Sequence, residues 1–139
     1  MISLYCLLYF IIKTLIICYP PPQIPSILVK AKNAYSLWFN ILNDFPRVRR
    51  YSLGAKIEHY FLALLESIFI SLYLTPEKKI EQLTIAIAKL DGIKLFLQLA
   101  WENKCISQDK YINLSEQLNE TGRMLGGWKK GLQKKTPAK

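Results

Sequence analysis

The chain has 139 residues, 51% hydrophobic and 12% aromatic, with a formal net charge of +9. That is length for one domain with one core, and too apolar a composition for a disordered tail. The positive excess suits polyanionic partners, nucleic acid ahead of an anionic membrane surface. Cys6, Cys18 and Cys105 lack metal-ligand spacing and His59 is the single histidine, which excludes a His/Cys zinc site. An odd cysteine count without a compact disulfide framework points to a reducing, cytoplasmic setting.

Residues 1–19 are apolar and aromatic, interrupted by Lys13 and closed by Pro20-Pro21-Pro22. They lack the basic start and small-residue cleavage site of a secretory signal. Three readings stand, ranked in this order: a non-native extension translated upstream of the true start, a membrane anchor, and a core helix. The length suffices for a span, but Lys13 falls deep within it, at a cost of up to about 3 kcal/mol. If the segment spans, Lys30, Lys32, Arg47, Arg49 and Arg50 hold the rest on the cytoplasmic side. The chain then divides into an apolar extension over 1–23, a helical bundle over 24–133 and a basic tail over 134–139.

Four amphipathic helices follow. In the first, Ile27, Ala31, Ala34, Trp38, Ile41 and Phe45 recur at alternating spacings of four and three, a bundle seam that stops where Pro46 disfavours helix in the residue before it. The second is expected over about 51–74, with Leu53, Ile57, Phe61, Leu64, Ile68 and Leu72 inward. Leu62, Leu65, Phe69 and Tyr73 add a second apolar stripe, which fits a partner subunit. Thr75-Pro76-Glu77 starts the third helix with a hydroxyl N-cap, proline at the first position and an acid in the first turn. Ile80, Leu83, Ile87, Leu90, Leu97 and Trp101 mark its inner face, and Gly92 a close packing contact. Ser107 caps the fourth, where Tyr111, Leu114, Leu118, Thr121, Leu125, Trp128 and Leu132 repeat without a break. Short loops throughout make this an all-α, antiparallel up-down four-helix bundle.

No residue set supports catalysis. There is no phosphate-binding loop, dinucleotide fingerprint or paired-histidine motif, and no metal or cofactor is expected. His59 reads as a solvated or interface residue. The cations are grouped: Arg47, Arg49 and Arg50 crowd the turn after Pro46, one turn before Lys56. On the fourth helix Arg123, Gly127, Lys130 and Lys134 form one stripe, with Lys129 adjoining. Gly122, Gly126 and Gly127 each cost roughly 1 kcal/mol against alanine there, the mark of a backbone that something approaches closely. Such clusters suit phosphate contact; the alternative is charge complementing helix ends. Helix tilt decides whether the two clusters meet.

Phe45-Pro46-Arg47-Val48-Arg49-Arg50-Tyr51-Ser52-Leu53-Gly54, then Ile57-Glu58, and above all Gly122-Arg123-Met124-Leu125-Gly126-Gly127-Trp128 resemble the accessory variability determinant proteins of diversity-generating retroelements. Leu99-Ala100, Ile106-Ser107 and Tyr111 are similar to that family's third-to-fourth helix junction, and the resemblance covers residues 24–132. The related four-helix proteins of ribosomal-RNA intervening sequences share the Phe-Pro-basic-Tyr turn, but Ala63-Leu64-Leu65-Glu66-Ser67-Ile68 fits the retroelement branch better. The resemblance implies a pentamer of four-helix bundles that binds a reverse transcriptase and its RNA or cDNA and is not itself a catalyst. Residues 1–19 and the weakly basic Gln98 and Trp101-Glu102-Asn103 depart from its pattern. The alternative function is a membrane-anchored interaction or scaffold bundle using residues 1–19.

Overall fold

The computed structural model describes Leu4, residues 6–8 and residues 25–136. The readings of the N-terminal segment, anchor included, and of the last tail residues therefore lie almost wholly outside the described residues. Among those described, no helix is long and apolar enough to cross a membrane.

The six positions expected to line the first seam are all buried, from Ile27 to Phe45. They lie along α1 (Ser26–Asp44), which ends as Phe45 turns extended ahead of Pro46. The chain then re-enters helix sooner than expected. A single turn, Arg47–Arg49, leads into a π-helical turn, Arg50–Gly54, continuous with α2 (Ala55–Ser71). Gly54 permits this tight re-entry: a Cβ there would stand 3.2 Å from Leu42 Cδ1 and 3.6 Å from Phe45 Cδ1.

The inner face of α2 carries Ile57, Phe61, Leu64 and Ile68 as expected, while Leu53 and Leu72 are only half-buried. Ser67 and Ser71 take the last seam positions instead, Ser71 Oγ donating to the Ser67 carbonyl at 2.7 Å. The helix ends at Ser71, three residues early, in bonds of tighter pitch such as Leu72 N–H to the Phe69 carbonyl.

α3 (Pro76–Glu102) begins with Pro76 in its first turn. The expected hydroxyl cap is absent. Thr75 contributes its carbonyl, which accepts from Lys79 N–H at 2.7 Å, and its side chain makes no capping bond. The seam of α3 also differs. It runs Leu83, Ala86, Leu90, Ile93, Leu97 and Ala100; Ile80 and Ile87 are half-buried and Trp101 is exposed. The two alanines leave room for neighbouring helices, and Trp101 lies flat on Tyr111 outside the core, centroids 4.9 Å apart.

α4 (Gln108–Lys135) is capped as expected, Ser107 Oγ accepting from Lys110 N–H at 3.4 Å. Leu114, Leu118, Thr121 and Leu125 are buried, with Tyr111, Trp128 and Leu132 partly buried at its ends. Lys134 and Lys135 form its last turn, so the basic residues assigned to a tail begin within the helix. Each long helix packs on its sequence neighbours and α1 also on α4, closing an antiparallel bundle.

Candidate nucleic-acid interface

Antiparallel packing puts the end of α1 beside the start of α4, where Lys110 Nζ donates to Asp44 Oδ2 at 2.5 Å. That ammonium holds the Asp44 carboxyl below the ordinary carboxylate range. The turn bearing Arg47, Arg49 and Arg50 stands at this same pole. Lys130 and Lys134 lie at the other end of α4, about 30 Å or more away at 1.5 Å per residue. The two cationic clusters therefore form two separate surfaces.

At the first pole Arg47 and Arg49 are exposed, as are Val48 and Tyr51 beside them, at 83% and 79%. Arg50 behaves differently from the other two. Its Nη2 donates to the carbonyls of Asn43 and Phe45, at 3.1 and 3.2 Å, and its Nε is buried without a partner. Because Pro46 ends α1, those carbonyls have no helical donor, and Arg50 satisfies them. Of the three arginines expected to bind, Arg50 is the one engaged by the fold itself.

Lys56 reaches across to Tyr60, its ammonium 4.8 Å from the ring centroid, and Lys89 of α3 approaches the same ring at 5.0 Å. Between the Pro46 turn and the last turns of α3 lies a groove of 810 Å³, lined among others by Val48, Arg49, Leu53, Lys56, Phe96 and Leu99.

On α4, Lys130 and Lys134 are exposed and Lys129 is half-buried. Arg123 is ion-paired to Glu120 one turn back. A second groove, of 600 Å³, touches Arg123 and Lys94 but also Asp91 and Glu116, so it carries both signs. Trp128 lies beneath Lys79, 5.6 Å from ammonium to ring.

The three α4 glycines separate into two kinds. Gly122 is packed, its missing Cβ 3.2 Å from Leu90 Cδ2. At Gly126 and Gly127 an added Cβ would meet nothing within 4 Å, so neither close-packs within the bundle. Gly92 does pack as expected, its missing Cβ 3.1 Å from Tyr60 Cε2. Of the second apolar stripe, Leu62 at 49% and Phe69 at 50% on α2 and Tyr73 at 76% just past its end are open to solvent, while Leu65 is half-buried against the core.

One polar centre was not anticipated. Glu58, on the first turns of α2, accepts from Tyr35 Oη at 2.5 Å and from Trp38 Nε1 at 2.7 Å. The carboxylate beside it pushes the Tyr35 phenol up to about 12, with burial adding to the rise. The signal lay in a tyrosine and a tryptophan three apart on α1, donors that need an acceptor once partly buried. Among the described residues no group of three or more potential metal ligands occurs.

A family model described as bAvd-like matches residues 27–132. No curated protein matches the chain.

Proposed function

Because the chain belongs to the bAvd-like family, accessory variability determinants of diversity-generating retroelements, we propose that it is a non-enzymatic partner of a retroelement reverse transcriptase. In this reading it holds RNA or cDNA near the polymerase and supports mutagenic copying of a template. The observation that carries it is unneutralised positive charge at both poles. Among the described residues only Lys110 and Arg123 form ion pairs, which leaves Arg47, Arg49, Lys56, Lys129, Lys130 and Lys134 free to meet phosphates.

Two separated surfaces on one bundle suit a protein that bridges partners. The exposed Leu62, Phe69 and Tyr73 stripe supports self-association, and the family resemblance points to a pentamer. In such a ring each cationic pole is repeated around the axis, which multiplies weak phosphate contacts.

The test is RNA binding by the full chain, titrated with salt. Six or more phosphate contacts make affinity fall by about 1000-fold or more between 50 and 200 mM salt. Charge reversal at Arg123, Lys130 and Lys134 is expected to reduce binding while the oligomer survives, and a retroelement reverse transcriptase co-expressed with the protein is expected to co-purify with it. Absence of RNA binding at low salt refutes the reading.

A further inference from the structure

We propose that the groove between the Pro46 turn and the end of α3 takes an unpaired base of a single-stranded nucleic acid. This rests on the nucleic-acid reading above and narrows it to a strand class and a site.

The groove combines two features that the α4 stripe lacks together. Arg49 and Lys56 supply cations, half-buried Leu53 and Phe96 supply an apolar floor, and the exposed Val48 and Leu99 add further apolar lining. Among the described residues no carboxylate lines it. Glu102, close by on α3, is turned to Gln98, whose Nε2 donates to it at 2.8 Å. Phe96 lies stacked under Tyr60, centroids 5.6 Å apart at 21°, and Lys56 and Lys89 stand over that tyrosine. Cations and aromatic rings thus continue upward from the groove along the α2–α3 seam.

A volume of 810 Å³ lies in the range that accepts a small organic group. Phosphates alone would need the cations and leave the floor wet. A duplex hides its base faces in its own stack and has nothing to offer that floor, whereas a single strand presents base and phosphate together. The α4 stripe, with no comparable floor and with acids beside Arg123, fits phosphates of either strand form.

Cys105 lines the groove and is a half-buried free thiol, which makes it a reporter of occupancy. The experiment follows alkylation of Cys105 in the full chain by peptide mass, with a short oligouridylate or an RNA duplex of equal length. The single strand is expected to slow labelling and the duplex to leave it unchanged. Leu99→Ser, at a half-exposed position, is expected to lower single-strand affinity about fivefold and leave duplex affinity unchanged. Single-strand binding without protection of Cys105, or equal protection by the duplex, overturns the proposal and leaves the accessory-protein reading standing. Protection by an acidic, leucine-bearing peptide in place of RNA also overturns it, and makes the groove a protein-docking site. Failure of both RNA forms to bind the protein at all overturns both readings.

Discussion

The carboxylate of Glu58 accepts the indole N–H of Trp38 at 2.7 Å, and its other oxygen accepts the Tyr35 hydroxyl. Trp38 is fully buried and stacked on Phe61, centroids 6.2 Å apart, so this bond ties the aromatic heart of the α1–α2 contact to the first turn of α2. It also fixes the helix that carries Lys56, two residues away, at the edge of the groove.

Replacing that acceptor should show its weight. Glu58→Leu leaves a buried indole N–H and a phenol without partners, and is expected to cost about 1–3 kcal/mol. Glu58→Gln keeps one carbonyl acceptor and should cost less. Urea unfolding midpoints of the two variants check the order. Equal stability of Glu58→Leu and the parent chain would show that water satisfies both donors.

Alkaline pH should weaken the same contact. The Tyr35 phenol is raised from 10.0 to about 12, because its proton is held by the Glu58 carboxylate. A folded-state value above the unfolded one means stabilisation that is complete below the unfolded value and is lost as pH rises through the folded one. The window is therefore pH 10 to about 12. Ultraviolet titration is expected to find Tyr35 ionising late. Tyr35→Phe should remove it and flatten the loss of stability across that window relative to the parent chain.

The glycines offer a second contrast. Gly126→Ala and Gly127→Ala place a methyl in open space and are each expected to stabilise the bundle by about 0.5–1 kcal/mol, the usual gain of alanine in a helix. Gly92→Ala drives a methyl to 3.1 Å from a tyrosine ring already stacked on Phe96, and should forfeit that gain or reverse it. Thermal unfolding checks the ranking. If Gly126→Ala also weakens self-association or RNA binding while raising stability, the open glycines serve a partner's approach.

How far the sequence disclosed this arrangement depended on how one-sided each helix is. On α1 the alternation of four and three picked out Ile27 through Phe45 residue by residue, although Val29 and Phe39 are apolar and exposed. On α3 apolar residues surround the axis, with Ile85 and Leu95 outside at 47% and 62% exposure, so periodicity could not choose between Ile87 and Ala86 or between Trp101 and Ala100. The choice fell to small residues where helices approach, a tertiary effect. The cationic residues were visible from their spacing, but their grouping was not. Arg50 sits between Arg49 and Tyr51 like any member of the cluster, and only the carbonyls stranded by Pro46 draw it inward. The acceptor role of Glu58 was not legible, because its two donors lie 20 and 23 residues earlier in the chain.

That difference between adjacent arginines gives the sharpest functional test. Arg49 is exposed on the groove wall and makes no ion pair among the described residues, so Arg49→Ala should leave the unfolding midpoint nearly unchanged. If it meets a phosphate, the variant binds RNA more weakly and the slope of log affinity against log salt falls by about one. Arg50→Ala should behave in the opposite way. It frees the Asn43 and Phe45 carbonyls and removes a partly buried charge-assisted contact, a loss of about 1–3 kcal/mol in stability. Its salt slope should stay that of the parent chain while the protein remains folded. Arg50→Lys is the control: the charge persists but the planar fork does not, so stability should recover only in part. Matching salt slopes for Arg49→Ala and the parent chain would remove Arg49 from the phosphate contacts. A reduced slope in folded Arg50→Ala would mean that this arginine leaves its carbonyls to meet RNA.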